Sequence, residues 1–312
     1  MMLLEGPEFI NADPKIVAQH LNTTLRENVN LNPANMKMNT DGKFLILQVL
    51  NGKVKEYPVR KSFLYKLLNW YSFPISQLHR MSIETVASLC NDYLLSIKSD
   101  CVSLKTENGE ALTLTSPRYS EISDLEVIDM CGVLGISGIS RNDFFMRIYT
   151  TEKFKTEPIP GDMCGFSFNV FNSETGFKAL SISHYILRYV CSNGAVAQFD
   201  KTDDRRYHFG HQKGDLQKFL NEQILKGLES RLKLIKNIKE STNVKASDYT
   251  NLISAKIDRL LGRNASQRFV EELKEDSTQY DLFNMITSKA KEYDISKRLY
   301  LERIAGDLIT YN

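Results

Sequence analysis

The segment FLILQVLNGKVKEYPV (residues 44–59) carries the strongest structural signal in the sequence. Two runs rich in apolar and β-branched residues flank the dipeptide Asn51-Gly52. Asn-Gly readily adopts the two positive φ angles of a type I′ turn, so this pattern predicts a β-hairpin. The same turn chemistry recurs at Asn108-Gly109 within CVSLKTENGEALTLTS (residues 101–116). Two such hairpins predict an antiparallel sheet.

Further strands are predicted downstream, where apolar residues alternate with polar ones or form short continuous runs. They are FFMRIYT (144–150), GFSFNVF (165–171) and KALSISHYILRYVCS (178–192). The segment from Asn172 to Gly176 predicts a tight turn between the last two strands. Because the last strand is apolar on both sides, we expect it in the interior of the sheet.

Apolar residues at helical spacing predict the helices. They are expected at residues 13–27, at 62–71 after a capping Ser62, at 83–97, at 216–235, at 247–262 after a capping Ser247, and around 273, 283–290 and 299–309. A turn-rich Asn and Pro stretch follows the first helix. These elements predict an α+β fold with an antiparallel or mixed sheet and a helical C-terminal subdomain. The predicted regions are 1–60, 61–200 and 201–312.

The overall composition excludes little. There are 40 Lys and Arg residues against 38 Asp and Glu residues, so the formal charge of +2 makes no case for a polyanionic partner. We expect no secretory signal and no transmembrane helix, since no basic stretch precedes an apolar run and no run of about eighteen apolar residues occurs. The cysteines favour a reducing cytoplasm because they are odd in number and lack a C-x-x-C pair. They are Cys90, Cys101, Cys131, Cys164 and Cys191.

The sequence favours a non-catalytic protein without a cofactor. Segment 124–139 ends in glycines, but no Gly-Lys-Ser/Thr follows them, so a helix ending in a turn is favoured over a phosphate loop. Cys191 lies near Arg188 and His184, which could activate a thiol, although a cysteine in an apolar strand is typical of a core. A weak metal site is the alternative at a D-D-x-x-x-H-x-x-H run. Its candidate ligands are Asp203, Asp204, His208 and His211.

Local charge clustering is more informative than net charge. Residues 205–263 contain thirteen Lys or Arg against six Asp or Glu. On an amphipathic helix such cations would face solvent, where they could neutralise phosphates. The candidates are Arg205, Arg206, Lys226, Arg231, Lys233, Lys236 and Lys239.

A second cluster mixes cations with aromatic residues, the combination that single-stranded nucleic acid needs for stacking and backbone attraction. It comprises Lys53, Lys55, Arg60, Lys61, Tyr65, Lys66, Trp70 and Tyr71. The alternative is that Trp70 and Tyr71 belong to the core and the lysines only maintain solubility.

Two short motifs lie in the segment GFSFNVFNSETGFKALSISHYILRYVCSNGAV (residues 165–196). The N-S-E-x-G and R-x-x-C-x-N-G motifs are formed by Asn172, Ser173, Glu174 and Gly176, and by Arg188, Cys191, Asn193 and Gly194. Weaker matches are Ser116, Arg118 and Tyr119, and Asn284 and Thr287. With these residues, the chain from about residue 60 to about residue 308 resembles the phage- and plasmid-borne family catalogued as domain of unknown function 932. The resemblance implies a phage or mobile-element origin and action in a host cytoplasm, and it brings no catalytic role.

The motif residues also have a purely structural interpretation. Asn, Ser and Gly are the residues that a tight turn requires. Glu174 and Arg188 could form a partly buried ion pair across two strands, or they could bind a charged ligand.

Two functions from different classes fit the sequence. The first is a single-strand-binding accessory protein of replication or recombination, acting as a homo-oligomer. The second is a counter-defence or host-factor interaction protein that acts through a protein surface. Affinity that falls steeply with salt would favour the first function.

Overall fold

The computed structural model describes residues 3–151, 154–188, 195–199, 205–206 and 213–310 of the 312-residue chain. The strands are β1 (Phe9–Ala12), β2 (Arg26–Leu31), β3 (Met36–Thr40), β4 (Leu45–Asn51), β5 (Lys53–Pro58), β6 (Val102–Glu107), β7 (Glu110–Thr115), β8 (Ile136–Arg141), β9 (Met146–Thr150), β10 (Phe154–Ile159), β11 (Asp162–Asn172), β12 (Leu180–Arg188), β13 (Ala195–Phe199) and β14 (Arg205–Arg206). The helices are α1 (Pro14–Thr23), α2 (Lys61–Trp70), α3 (Ile83–Leu95), α4 (Asp124–Cys131), α5 (Lys213–Ser241), α6 (Ser247–Leu261), α7 (Gln267–Val270), α8 (Gln279–Lys289) and α9 (Ile295–Thr310).

The strands form one large sheet and two small ones. Within the described residues the large sheet has eight strands in the order β1-β8-β9-β11-β12-β13, with β10 beside β11 and β14 beside β12. The small sheets are β2-β6-β7 and β3-β4-β5. The pairs within these sheets are antiparallel. The predicted α+β class is therefore confirmed, and β12 lies inside the large sheet as expected.

Both Asn-Gly hairpins form, but with different turns. Asn108 (φ 52°) and Gly109 (φ 79°) have the two positive φ angles of the predicted type I′ turn. At the first hairpin Asn51 pairs with Lys53, and of the Asn-Gly dipeptide only Gly52 (φ 73°) has a positive φ. The hairpin prediction is confirmed at both places, and the turn type is right only at the second.

Several element boundaries differ from the predictions. The first helix ends at Thr23, and the following Asn-rich segment forms β2, whose backbone pairs with β6. Long-range pairing thus overrides a local sequence that favours turns. Ser62 caps no helix, because it is buried and its Oγ donates to the carbonyl of Leu112 at 2.7 Å. Ser247 follows the N-cap of α6, Ala246, which makes no side-chain capping bond.

The described core consists of three main clusters of buried side chains. The first, with Phe63 and Leu104, joins the two small sheets to α2 and α3. The second, with Val127 and Val170, fills the space between one face of the large sheet and helices α1, α4 and the start of α5. The third, with Phe283, joins the end of α5, α6, α8 and α9 to Phe166 and Ile186 of the large sheet. The division of the chain at residues 60 and 200 stays a prediction.

A buried ion pair attaches the C-terminal helix to the large sheet. Along β9, Ile148 faces the second cluster, so its neighbour Arg147 faces the opposite side of the sheet. Nη1 of Arg147 donates to Oε2 of Glu302 on α9 at 2.6 Å, and each side chain is 1% exposed. The other carboxylate oxygen of Glu302 accepts from Nε of Arg298 at 2.9 Å. Glu302 of α9 therefore reaches the face that the second cluster does not cover.

Replacing Glu302 with glutamine should destabilise the protein by about 3 to 5 kcal/mol, because it leaves the Arg147 guanidinium buried without a counter-charge. Urea denaturation monitored by circular dichroism measures the change in unfolding free energy. Glu272→Gln is the matched control, since Glu272 pairs with Lys289 at the surface. The control should lose less than about 1 kcal/mol. Equal losses of unfolding free energy in the two variants would show that the buried pair contributes no more to stability than the surface pair.

Candidate functional site

The turn that carries the N-S-E-x-G motif lies at the end of β11 and is fixed by local hydrogen bonds. The amide of Gly176 (φ 75°) donates to the carbonyl of Ser173 at 3.2 Å. The Ser173 hydroxyl accepts from the amide of Phe177 at 3.0 Å and donates to the carbonyl of Phe144 at 2.6 Å. A side chain at position 176 would also meet Lys66 and Tyr119. Glycine is therefore required there both by the φ angle and by the lack of space.

Glu174 projects from this turn into the protein and is 5% exposed. Its Oε1 accepts from the amide of Asp124 at 2.7 Å, at the first residue of α4. Its Oε2 lies 2.7 Å from Nη1 of Arg26 and 3.6 Å from Nη2 of Arg141. The helix N-terminus and the two guanidinium groups present positive charge to this carboxylate and partly offset the cost of burying it.

The carboxylate belongs to a larger buried ion network. Arg60 contacts Glu107 and Asp143, each at 2.9 Å, and Arg141 contacts Asp124 at 2.9 Å. The network combines three arginines with five carboxylates: Arg26, Arg60 and Arg141, and Glu107, Glu110, Asp124, Asp143 and Glu174. Charges at this depth are tolerated only when they are paired and hydrogen-bonded, so the arrangement must be complete to be stable.

Burial and neighbouring charges shift the pKa values of the network carboxylates in different directions. Burial raises the pKa of Glu174, and the nearby Asp124 carboxylate raises it further. Arg26 and Arg141 lower this pKa but do not outweigh the two effects. Burial likewise raises the pKa of Asp143 despite its contact with Arg60. Burial opposes ionisation of Glu107 too, but Arg141, Arg26 and Arg60 outweigh it and hold the pKa of Glu107 below its ordinary value. Glu107 is thus the best stabilised anion of the three.

The motif turn is also the point where the first small sheet meets the large one. Tyr119 donates its hydroxyl to the carbonyl of Ser173 at 2.7 Å, and Lys105 of β6 donates to the carbonyl of Glu174 at 3.0 Å. Lys66 of α2 donates to the carbonyl of Gly176 at 2.8 Å. The Asn172 amide donates to the carbonyl of Ile122 at 2.8 Å and to Oδ1 of Asp124 at 2.9 Å. The motif therefore connects helices and sheets that are distant in sequence.

A small cavity of about 10 Å³ lies inside the network, about the space that one water molecule needs. It is lined by Leu112, Asp124, Arg141, Asn142, Asp143, Phe144, Phe145, Glu174 and Thr175. Among the described residues, Nη1 of Arg141 and Oδ1 of Asn172 are buried without a hydrogen-bond partner. This space suits a water molecule and is too small for an organic substrate.

The proposed pairing of Glu174 with Arg188 is wrong. Arg188 pairs with Cys164 at the opposite end of the β11–β12 hairpin, whereas Glu174 lies in the turn. The chain register thus separates the two residues by the length of the strands. The partners of Glu174 are Arg26 and Arg141, which the sequence analysis did not identify.

The remaining motif residues do not all meet at the turn. Ser116 and the exposed Arg118 form a local turn before α4, in which the Arg118 amide donates to the Ser116 hydroxyl at 3.2 Å. Asn284 and Thr287 lie on α8, where the Thr287 hydroxyl donates to the carbonyl of Phe283 at 3.1 Å. The following candidates lie outside the described residues: Cys191, Asn193, Gly194, Asp203, Asp204, His208 and His211. Within the described ranges no group of His, Cys, Asp and Glu is arranged to hold a metal ion.

The predicted cationic and aromatic cluster around the first hairpin is only partly exposed. Arg60 is 3% exposed and surrounded by carboxylates, so its assignment to an exposed nucleic-acid surface is wrong. Lys61 pairs with Glu5. Lys53 and Lys55 are exposed, and Trp70 is 39% exposed. The hairpin therefore offers fewer accessible cations than its sequence indicates.

Tyr65, Lys66 and Tyr71, the other members of that cluster, are engaged in packing. Tyr71 stacks on Tyr93 with ring centroids 4.2 Å apart and donates its hydroxyl to the Tyr93 carbonyl. Tyr65 packs beside Phe144. Burial lowers the pKa of Lys66, whose ammonium group donates to the motif turn. These contacts favour the structural alternative for Tyr71, and they give Tyr65 and Lys66 packing partners within the protein as well.

The predicted cations of α5 are largely exposed. Lys226, Lys233, Lys236 and Lys239 face solvent, and Lys236 lies 3.5 Å from Glu240. Arg231 is half-buried, with its guanidinium 4.2 Å from the centre of the Phe154 ring. For Arg205 and Arg206 the structure describes only the backbone, as β14.

Comparison of the chain with protein-family models, with curated proteins and with solved structures finds no match. In the part of the chain that the structure describes, no helix has both the length and the apolar character needed to cross a bilayer.

The ion network makes a signed prediction for pH. A carboxyl whose pKa is raised in the folded protein binds its proton more tightly there than in the unfolded chain, so its contribution to stability falls as pH rises above the ordinary value of 4.5. Glu174→Gln should make this decline shallower, by at most about 1.4 kcal/mol per pH unit. The unfolding free energy, measured by urea denaturation at a series of pH values, gives both slopes.

Glu121→Gln is the control for this pH series. It removes a carboxylate that pairs with Lys105 and leaves Glu174 and Asp143 in place. It should keep the wild-type slope. If Glu174→Gln also keeps that slope, or makes it steeper, the assignment of a raised pKa to Glu174 is wrong.

Proposed function

We propose that the protein binds single-stranded nucleic acid as a non-catalytic accessory factor of phage or mobile-element replication or recombination. The observation that carries the proposal is the set of exposed lysines along α5. The mobile-element context comes from the resemblance of the motif segments to the family named above. We also expect a homo-oligomer in the host cytoplasm, and light scattering after size exclusion would measure its mass.

The geometry of α5 supports contact with a phosphate backbone. Lys226 and Lys239 are thirteen positions apart, about 20 Å along a helix, which spans several nucleotides. Leu220 and Ile238, on another side of the helix, are buried in the core. The exposed lysines are therefore held on a rigid element. Such an arrangement attracts phosphates without reading base identity.

Acidic residues limit the expected affinity. Exposed Glu222, Glu229 and Glu240 alternate with the lysines on the same helix. They reduce the local potential and favour moderate, strongly salt-dependent binding over tight binding. Aromatic stacking by Trp70, which is 39% exposed, stays a prediction.

Replacing Lys226, Lys233, Lys236 and Lys239 together with glutamine should weaken binding to a labelled single-stranded oligonucleotide. If each lysine neutralises one phosphate, the slope of log K against log salt should become shallower by about 3, at about 0.7 per contact. Fluorescence anisotropy across a salt series measures both slopes.

A matched control changes net charge equally without touching α5. Lys15, Lys37, Lys98 and Lys274 are exposed on other parts of the fold and would be replaced together with glutamine. This variant should keep the wild-type slope. If the wild type does not bind at about 50 mM salt, or if both variants lose the same slope, α5 is not the nucleic-acid interface.

One observation favours the second candidate function, an interaction with a host protein. Leu225 and Leu232 are 61% and 68% exposed and lie one heptad apart on α5, between the lysines. Two leucines at this spacing form a short apolar stripe of the kind that contacts a partner helix.

Leu225→Ser combined with Leu232→Ser separates the two functions. If the protein acts on nucleic acid, oligonucleotide affinity should stay within about twofold, because serine leaves every phosphate contact in place. If it acts on a host protein, this variant should lose a stoichiometric partner that the wild type recovers from host lysate after nuclease and high-salt treatment. Recovery of that partner by both proteins would exclude the leucine stripe as the interface.

A further inference from the structure

A row of buried polar side chains crosses the face of the large sheet on which Arg147 contacts Glu302. In the strand register Phe171 lies opposite Arg147, and Asn169 lies opposite both Tyr149 on β9 and Ser183 on β12. Paired residues point to the same face of a sheet, as do residues two apart on a strand. Arg147, Asn169 and Ser183 therefore face the same side on three neighbouring strands.

The guanidinium of Arg147 is directed along this row. The Cζ atom of Arg147 lies 4.5 Å from the centre of the Tyr149 ring and 5.6 Å from the centre of the Phe171 ring. The guanidinium group is thus displaced from Phe171, the cross-strand partner of Arg147, toward the pair formed by Tyr149 and Asn169. Directly opposed side chains have Cβ atoms about 5 Å apart, so Asn169 and Ser183 extend the row at the same spacing.

The polar atoms of this row are buried without partners in the described part of the protein. They are Nε and Nη2 of Arg147, Nδ2 and Oδ1 of Asn169, and Oγ of Ser183. These side chains are 1%, 0% and 2% exposed. Buried polar groups in proteins are almost always hydrogen-bonded, so five such atoms on adjacent strands are not explained by packing.

The unpartnered atoms of Arg147 define the chemistry. Nη1 is committed to Glu302, which leaves the edge formed by Nε and Nη2. This edge presents two parallel N–H donors, which match the two oxygens of a carboxylate or phosphate. Glu302 neutralises one of the two arginines that it contacts, Arg147 and Arg298, so the local charge is positive by one.

We propose that Arg147, Asn169 and Ser183 form a buried binding site for a small carboxylate or phosphate anion. The arginine edge binds the oxyanion. The Asn169 amide and the Ser183 hydroxyl, which both donate and accept hydrogen bonds, bind a neutral polar group about one strand spacing away. The fitting ligand is a small molecule that carries an oxyanion beside a hydroxyl or amide. This site is independent of the proposed nucleic-acid surface on α5.

Thermal unfolding of the full chain with inorganic phosphate or acetate as probes tests the site. Each probe is added in a millimolar series at constant ionic strength, with chloride as the balancing anion. Because a ligand that binds only the folded state stabilises it, the wild-type melting temperature should rise with probe concentration. A rise with phosphate alone or acetate alone identifies the preferred oxyanion. If neither probe raises it above the chloride series, the proposal is overturned.

Two variants locate the binding. Arg147→Lys keeps the charge beside Glu302 but removes the two-donor edge, and it should weaken probe affinity at least about tenfold. Asn169→Leu keeps the volume and the arginine but puts an apolar side chain in place of a polar neighbour of the buried anion, so it should also reduce the shift. Circular dichroism shows whether each variant folds. If Arg147→Lys does not fold, Asn169→Leu provides the test.

The exposed Arg118→Lys change is the matched control and should behave like the wild type. Equal shifts in the wild type, Arg147→Lys and Asn169→Leu would place the anion elsewhere and overturn the assignment. Loss of the melting-temperature shift in Arg118→Lys would also overturn the assignment.

Discussion

The contact between Glu174 and the guanidinium groups of Arg26 and Arg141 is the constraint on which the arrangement of the sheets depends. A buried carboxylate is costly unless several donors satisfy it. Glu174 obtains those donors from β2, from β8 and from the first turn of α4. The turn that carries it can therefore adopt its position only when these elements are already in place around it. This requirement explains why a short surface-type sequence, N-S-E-T-G, is almost fully buried here.

The two faces of the large sheet have different chemistry. One face is covered by apolar side chains of α1, α4 and α5, and its stability comes mainly from hydrophobic burial. The other face carries Arg147, Tyr149, Asn169, Ser183 and Tyr185, and it is joined to α9 by an ion pair. An apolar surface would serve the same packing role with less desolvation. The polar face thus carries a desolvation cost that the packing of α9 alone does not require.

The cations of this protein are of two kinds. Arg26, Arg60, Arg141 and Arg147 are engaged with carboxylates in the interior, and their planar donor groups suit that role. Lys226, Lys233, Lys236 and Lys239 of α5 are exposed, so a polyanion could displace their counterions. Arg60, which lies in an aromatic-rich segment, therefore gave a misleading signal of exposure, whereas the lysines on the amphipathic helix gave a correct one.

The sequence by itself determined the elements whose signal is local. The Asn-Gly hairpins, the alternating strands β9, β11 and β12, the turn at Asn172–Gly176 and the long helix α5 follow from turn chemistry and periodicity over a few neighbouring residues. Only the tertiary structure decided that the Asn-rich β2 is a strand, and that Arg60 is buried rather than exposed. It also decided the partners of Glu174 and the meeting of Arg147 with Glu302, 155 positions later. The physical reason is that a charged residue in a strand reads as exposed until a distant counter-charge packs against it, and sequence spacing carries no record of that contact.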